Sequence, residues 1–156
     1  MRPADPTTSP LWSDTTYEQL LERVRYEGVY ATREQAEQVT TDVLAALGRR
    51  LTGDERVDLA ARLPFAAART LTCQIPDTEP LTGWAFVQDI ANRTGGSIAC
   101  TRWAVGTVLR AVADLAGPEL LDRILAQLPP GYALLFGRAE LTQQRRADSR
   151  MAGAGN

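Results

Sequence analysis

Histidine is missing from the chain altogether, and so is lysine: all 17 basic residues are arginine. The first absence removes the usual general base, the commonest metal ligand and the side chain that titrates near neutrality. The second removes Schiff-base and amine nucleophile chemistry, and without histidine no serine or cysteine has its ordinary activating partner. An arginine-only set of basic residues fits codon bias, and it demands no bidentate chemistry at every site. Cysteine is nearly absent too. Cys73 and Cys100 are too few and too irregularly placed for a disulfide framework or a zinc site. They read as reduced, buried thiols of a cytoplasmic protein. A strong field of either sign is also lacking: the net charge is -2, so nothing global draws the chain to nucleic acid or to an anionic membrane. No apolar run is long enough to span a bilayer, and MRPADPTTSPLW has no apolar segment of the signal-peptide kind.

What remains is a chain of 156 residues, 44% hydrophobic and 23% charged, which fits one ordinary domain. Residues 1–12, with Pro3, Pro6 and Pro10, read as a mobile leader. Residues 138–156 read as a polar, arginine-rich, disordered tail. The stretch 73–82, carrying Pro76 and Pro80, reads as a linker between residues 13–72 and 83–137.

Both of those blocks carry helical periodicity. Tyr17, Leu20, Leu21 and Val24 make one amphipathic stripe, opened by a capping box from Thr15 to Glu18 and stopped at Gly28. A second box, Thr32 to Gln35, opens a stripe of Ala36, Val39, Val43, Leu47 and Leu51. A third, Thr52 to Glu55, opens Val57, Ala60 and Leu63, and Pro64 ends that helix. PFAAARTL, beyond it, is a further turn or a short helix. A constant shift then lays Val43-Leu44 on Val108-Leu109, Leu47 on Val112, Leu59 on Ile124 and Leu63-Pro64 on Leu128-Pro129. Upstream the shift is one residue longer and lays Leu20, Leu21 and Val24 on Phe86, Val87 and Ile90. Gly117-Pro118-Glu119 opens its helix in the other customary way, with glycine at the N-cap and proline behind it. Three short amphipathic helices alone bury a marginal core, whereas two such units packed together double it. The pattern predicts an all-α fold: a helical bundle of two tandem three- or four-helix repeats, 13–72 and 83–137, related by a pseudo-twofold and sharing one domain.

LLERV, REQAEQVTTDVLAALGRRLTGDERVDLAARLP, and in the second half FVQDIANRTGG and TVLRAVADLAGPELLDRILAQLP, resemble the bacterial family catalogued as domain of unknown function 2267. The likeness runs from about Tyr17 to Phe136 and includes the duplication. IACTRWAVGTVL is poorer in charge than that family's usual helix there. The resemblance implies an all-helical, soluble bacterial protein and carries no catalytic residue, cofactor or partner with it.

Sites of chemistry are sparse. Asp54, Glu55 and Asp58, and again Glu119 and Asp122, could be Mg²⁺ ligands or an acid–base pair. Their place in first helical turns instead suits the helix macrodipole. RTGGS (93–97) lacks the Lys-Ser/Thr and the preceding strand of a phosphate loop, so Gly95-Gly96 reads as a helix stop and Ser97 as the next N-cap. The arginines of the stretch 143–150 read as solvated. No metal, cofactor or catalytic residue is expected.

One asymmetry stands out. The fifth predicted helix buries Ala104, Val105, Val108, Leu109, Val112 and Leu115, and its opposite face carries Ala99, Trp103, Gly106, Arg110 and Ala113. The corresponding face of the first block is Glu34, Gln38, Thr41, Ala45 and Gly48, a more solvated set. Small residues around one tryptophan and one arginine suit either a helix packed on both sides inside the monomer or an interface. The expectation is a non-catalytic cytoplasmic interaction module, a homodimer or the holder of another protein, with no membrane and no nucleic acid involved. The alternative is a helical domain that binds a small molecule or nucleotide in a crevice between the repeats.

Overall fold

A computed structural model describes residues 15–138; the predicted leader, and the tail beyond Arg138, lie outside the described residues. The described residues form eight helices and no strand. They are α1 (Tyr17–Gly28), α2 (Arg33–Gly48), α3 (Gly53–Arg62), α4 (Phe65–Thr72), α5 (Gly83–Thr94), α6 (Ile98–Ala116), α7 (Pro118–Gln127) and α8 (Tyr132–Leu135). The protein is an all-α bundle. No helix among the described residues is long and apolar enough to cross a membrane.

The bundle is built around α6, which packs on α1, α2, α3, α5, α7 and α8. Its buried residues include Val105, Thr107, Val108, Leu109, Ala111 and Val112, so burial wraps well past a single stripe. Ala104 and Leu115, expected in the core, are only half-buried. One continuous apolar cluster runs from Leu20 through Leu44, Leu59 and Leu71 to Phe86, Val108, Ile124 and Phe136. Phe86 and Tyr132 meet within it, ring centroids 5.2 Å apart and tilted by 60°, a favourable aromatic geometry. Buried Thr40 and Thr107 satisfy their hydroxyls by donating to the carbonyls of Ala36 and Trp103, one turn back.

Helix ends follow local chemistry, with corrections at two helix starts. The first capping box is Thr16 with Gln19, one residue later than Thr15 with Glu18. Glu18 is instead drawn to Arg33, which holds its carboxyl below the usual range. The second box, Thr32 with Gln35, is present. At the third start Thr52 occupies the N-cap but makes no side-chain cap bond. Gln127 of α7 takes the place expected for Glu55: its amide accepts from Thr52 N–H at 2.9 Å and donates to Glu55 Oε1 at 2.8 Å. Val57 is exposed and Leu59 is the buried residue of α3. Two residues along a helix turn about 200°, so the two point nearly opposite ways. Leu63 and Leu128, each followed by proline, end their helices in extended backbone at φ -97°, ψ 153° and φ -95°, ψ 148°.

Residues 73–82 contain no helix, but they are not loose from the bundle. Arg50, almost wholly buried, pairs with Asp77 at 3.1 Å and donates to the Glu79 carbonyl at 2.7 Å.

The two threonine N-caps therefore make a test. Thr32→Ala loses a reciprocal box and is expected to cost about 1 kcal/mol, whereas Thr52→Ala should stay within about 0.5 kcal/mol. Urea denaturation of the two variants side by side measures the difference; equal losses would mean that the Thr52 hydroxyl caps α3.

Candidate functional site

Glycine residues usually supply the left-handed turn that closes a helix, and Gly28 is the glycine at the end of α1. It is not the residue that turns. Gly28 is the last helical residue, and Val29 adopts the left-handed conformation, φ 57° and ψ 45°. A methyl group on Gly28 would overlap the ring of Tyr30, which folds back over it. Glycine is thus required here for close approach, and the turn falls to a β-branched residue that strongly disfavours it. The turn is held by Tyr30 N–H donating to Arg25 O at 2.9 Å and by Val29 N–H donating to Tyr26 O at 3.3 Å.

The carbonyl of Gly28 is claimed by α6: Trp103 Nε1–H donates to it at 2.9 Å. That bond brings the outer face of α6 to the end of α1. Trp103 is 50% exposed, Tyr26 79% and Val29 81%. Val29 and Trp103, each uncovered, thus stand at the one carbonyl of Gly28, and Tyr26 is exposed two residues earlier on α1.

The five residues singled out on α6 are distributed unevenly. Ala99, Trp103 and Arg110 are exposed, Ala113 is half-buried and Gly106 is buried. Gly106 is covered by arginine: a methyl group there would stand 3.2 Å from Arg102 Nη1 and 3.5 Å from Arg110 Nη1. The expected strip of small residues is therefore roofed at its centre. Arg102 lies one position off the predicted stripe, and Tyr26 and Val29 belong to a distant part of the chain, so helical spacing does not reach them. An apolar Val-Tyr directly behind the glycine of a helix end was the available signal.

Two hollows flank this face. The larger, about 740 Å³, lies between Arg23 and Glu27 of α1 and Arg110, Leu121, Phe136 and Arg138 of the second half. Arg23 spans its edge, paired with Glu27 at 3.1 Å and Asp114 at 2.6 Å. The smaller, about 240 Å³, is lined by Tyr30, Val39, Ile90, Cys100 and Thr101. Burial pushes the Tyr30 phenol above its ordinary pKa, and the neighbouring Cys100 adds to the shift.

The other sequence features fall into structural places. Glu55 and Asp58 share Arg123 at 3.2 and 2.8 Å, and Asp122 pairs with Arg138 at 2.7 Å. Among the described residues no group of three His, Cys, Asp or Glu side chains is placed to hold a metal ion. Gly95 is the left-handed C-cap of α5, and Ser97 caps α6 by accepting from Cys100 N–H. Cys73 and Cys100 are free and exposed, contrary to their expected burial. One follows the last residue of α4 and the other lies in the first turn of α6, where residue type says little about which side faces the core.

Val29→Gly removes the left-handed strain and gives up almost no packing, so it should raise stability by about 1 kcal/mol. Chemical denaturation measures this; a loss of stability would mean that Val29 supports the monomer.

The eight helices of the bundle span residues 17–135. The same span, residues 17–135, matches the model of a family described as uncharacterized conserved protein, DUF2267. No curated protein matches the sequence. With the family model covering most of the chain, the protein belongs to the DUF2267 family.

Proposed function

We propose that this protein is a non-catalytic helical interaction module and that a partner docks on the end of α1 and the outer face of α6. The observation that carries the reading is the uncovered Val29, held in a strained turn, next to the Gly28 carbonyl that the uncovered Trp103 bonds. Single exposed apolar residues are ordinary, but a cluster of large ones is characteristic of contact surfaces. A left-handed valine makes the case stronger, because it costs stability that glycine would restore. The absence of histidine and lysine, and the pairing of Glu55, Asp58 and Asp122 with arginine, support a role without catalysis. Two exposed free thiols suit a reducing compartment such as the cytoplasm. We also read the two halves as duplicated units with a pseudo-twofold relation; the matched Leu-Pro ends after α3 and α7 support this.

Photo-crosslinking tests the docking surface. A photoreactive phenylalanine analogue at position 29 or 103, in the source cell, is expected to give one discrete adduct. The same group at Ile75, exposed in the 73–82 linker, should not give it. Adducts at 29 and 103 that are absent or no more defined than those at 75 would sink the proposal. An adduct of twice the chain mass would make the partner a second copy.

A second reading has its own observation, the 740 Å³ cleft between α1 and the second half, a volume typical of small-molecule sites. Its arginine edges suit an anionic ligand such as a nucleotide. A thermal-shift screen of nucleotides and acidic metabolites should then raise the melting temperature in the wild type and not in Arg110→Gln. A flat screen would remove this reading.

A further inference from the structure

The arginines of this bundle are, with few exceptions, spoken for. Arg23, Arg25, Arg33, Arg50, Arg93 and Arg123 pair with carboxylates, and Arg56 and Arg62 donate to backbone carbonyls. Arg69 makes no such pair, but it stands in the last turn of α4, where the helix dipole favours a cation. Arg102 and Arg110 have neither explanation. They sit one turn before and one turn after Gly106 on α6, and among the described residues neither guanidinium has a hydrogen-bond or ion-pair partner. Both nevertheless converge on the same point above Gly106, with Nη1 atoms 3.2 and 3.5 Å from where a methyl would stand. Two like charges that converge with no counter-charge between them form a gap that an anion would fill.

Resting on the docking surface proposed above, we infer that the partner of this face is a different protein, and that it presents an acidic segment. A carboxylate seats between Arg102 and Arg110 over Gly106, and an apolar side chain beside it covers Trp103. Charge complementarity selects this occupant over a second copy packed face to face. A symmetric pair of α6 helices crossing at Gly106 would bring four unpaired guanidiniums together, with the close-approach position already filled by the arginines themselves. Planar guanidiniums grip a carboxylate bidentately, so the contact is directional as well as attractive. Gly106 keeps the helix surface low enough for both side chains to fold over it.

Selection of a random-peptide display library on the full-length protein tests the inference while the partner is still unidentified. Enriched peptides are expected to carry Asp or Glu next to an aliphatic or aromatic residue. Their binding should weaken about tenfold in the Arg102→Gln/Arg110→Gln double variant and fall with added salt. The melting temperature of the double variant, unchanged if the arginines serve only the partner, separates lost binding from lost folding. Peptides that need Trp103 but lack acidic residues, or that bind the double variant equally well, would overturn the acidic partner and leave the docking surface standing. Failure to enrich any peptide that depends on Trp103 or Val29 would bring down both.

Discussion

The bundle depends on one helix being buried on more than one side. α6 is long, 19 residues, and it takes contacts from both the first-half helices α1 and α2 and the second-half helices α5, α7 and α8. A helix so placed must be apolar around most of its circumference, and its central run of Val105, Val108, Leu109, Ala111 and Val112 meets that demand. The remaining strip is too narrow to be a fully solvated face and too exposed to be core. The residues found there, Ala99, Trp103, Arg110 and Ala113, are amphipathic or small, which suits an edge of that kind. The candidate site is thus a consequence of the architecture: it is what is left of α6 after the rest of the fold has been packed on it.

Arginine does a second job that the absence of lysine leaves to it. Every helix exposes carbonyls at its C-terminal end that need donors. Arg62 donates to Ala116 O at 2.6 Å, at the end of α6, and Arg56 reaches the carbonyls of Leu71, Thr72 and Gln74 at the end of α4. Trp103 does the same for Gly28 with its indole N–H. In each case a long side chain from one helix finishes another, so the ends of short helices are secured by tertiary contacts. A fork of several N–H donors serves this better than a single ammonium, since one guanidinium can satisfy carbonyls that point in different directions. Against that pattern of use, the idle guanidiniums of Arg102 and Arg110 stand out.

Much of this architecture could be read from periodicity, because apolar spacing and helix punctuation are local properties. The stripes Leu20, Leu21, Val24 and Phe86, Val87, Ile90 are all buried, and both Leu-Pro ends fall where the proline rule places them. The errors at helix starts share a cause: they arise where a distant residue replaces a local one. The Thr52 N–H, expected to bond Glu55 in the box, bonds Gln127 of α7. Glu18 turns to Arg33 and leaves the box to Thr16 and Gln19. The site was half legible for the same reason. Trp103 and Arg110 lie on one face by helical arithmetic, but the Val29 turn joins them only through the Trp103–Gly28 bond, which no local pattern announces.

That bond also explains why the turn after α1 tolerates its strain. The carbonyl of Gly28 is fixed by Trp103, the amides of Val29 and Tyr30 are satisfied by α1, and the Tyr30 ring lies flush on Gly28. With the turn determined from three sides, Val29 has no route to a relaxed backbone conformation and must present its side chain to solvent. A monomer selected only for stability would carry glycine at this position, since nothing inside the monomer touches the valine enough to reward it. The cost is intelligible if Val29 is rewarded elsewhere. The same turn sets it next to the carbonyl that Trp103 bonds, and the rigidity that makes the residue strained also spares a partner the entropy of ordering it.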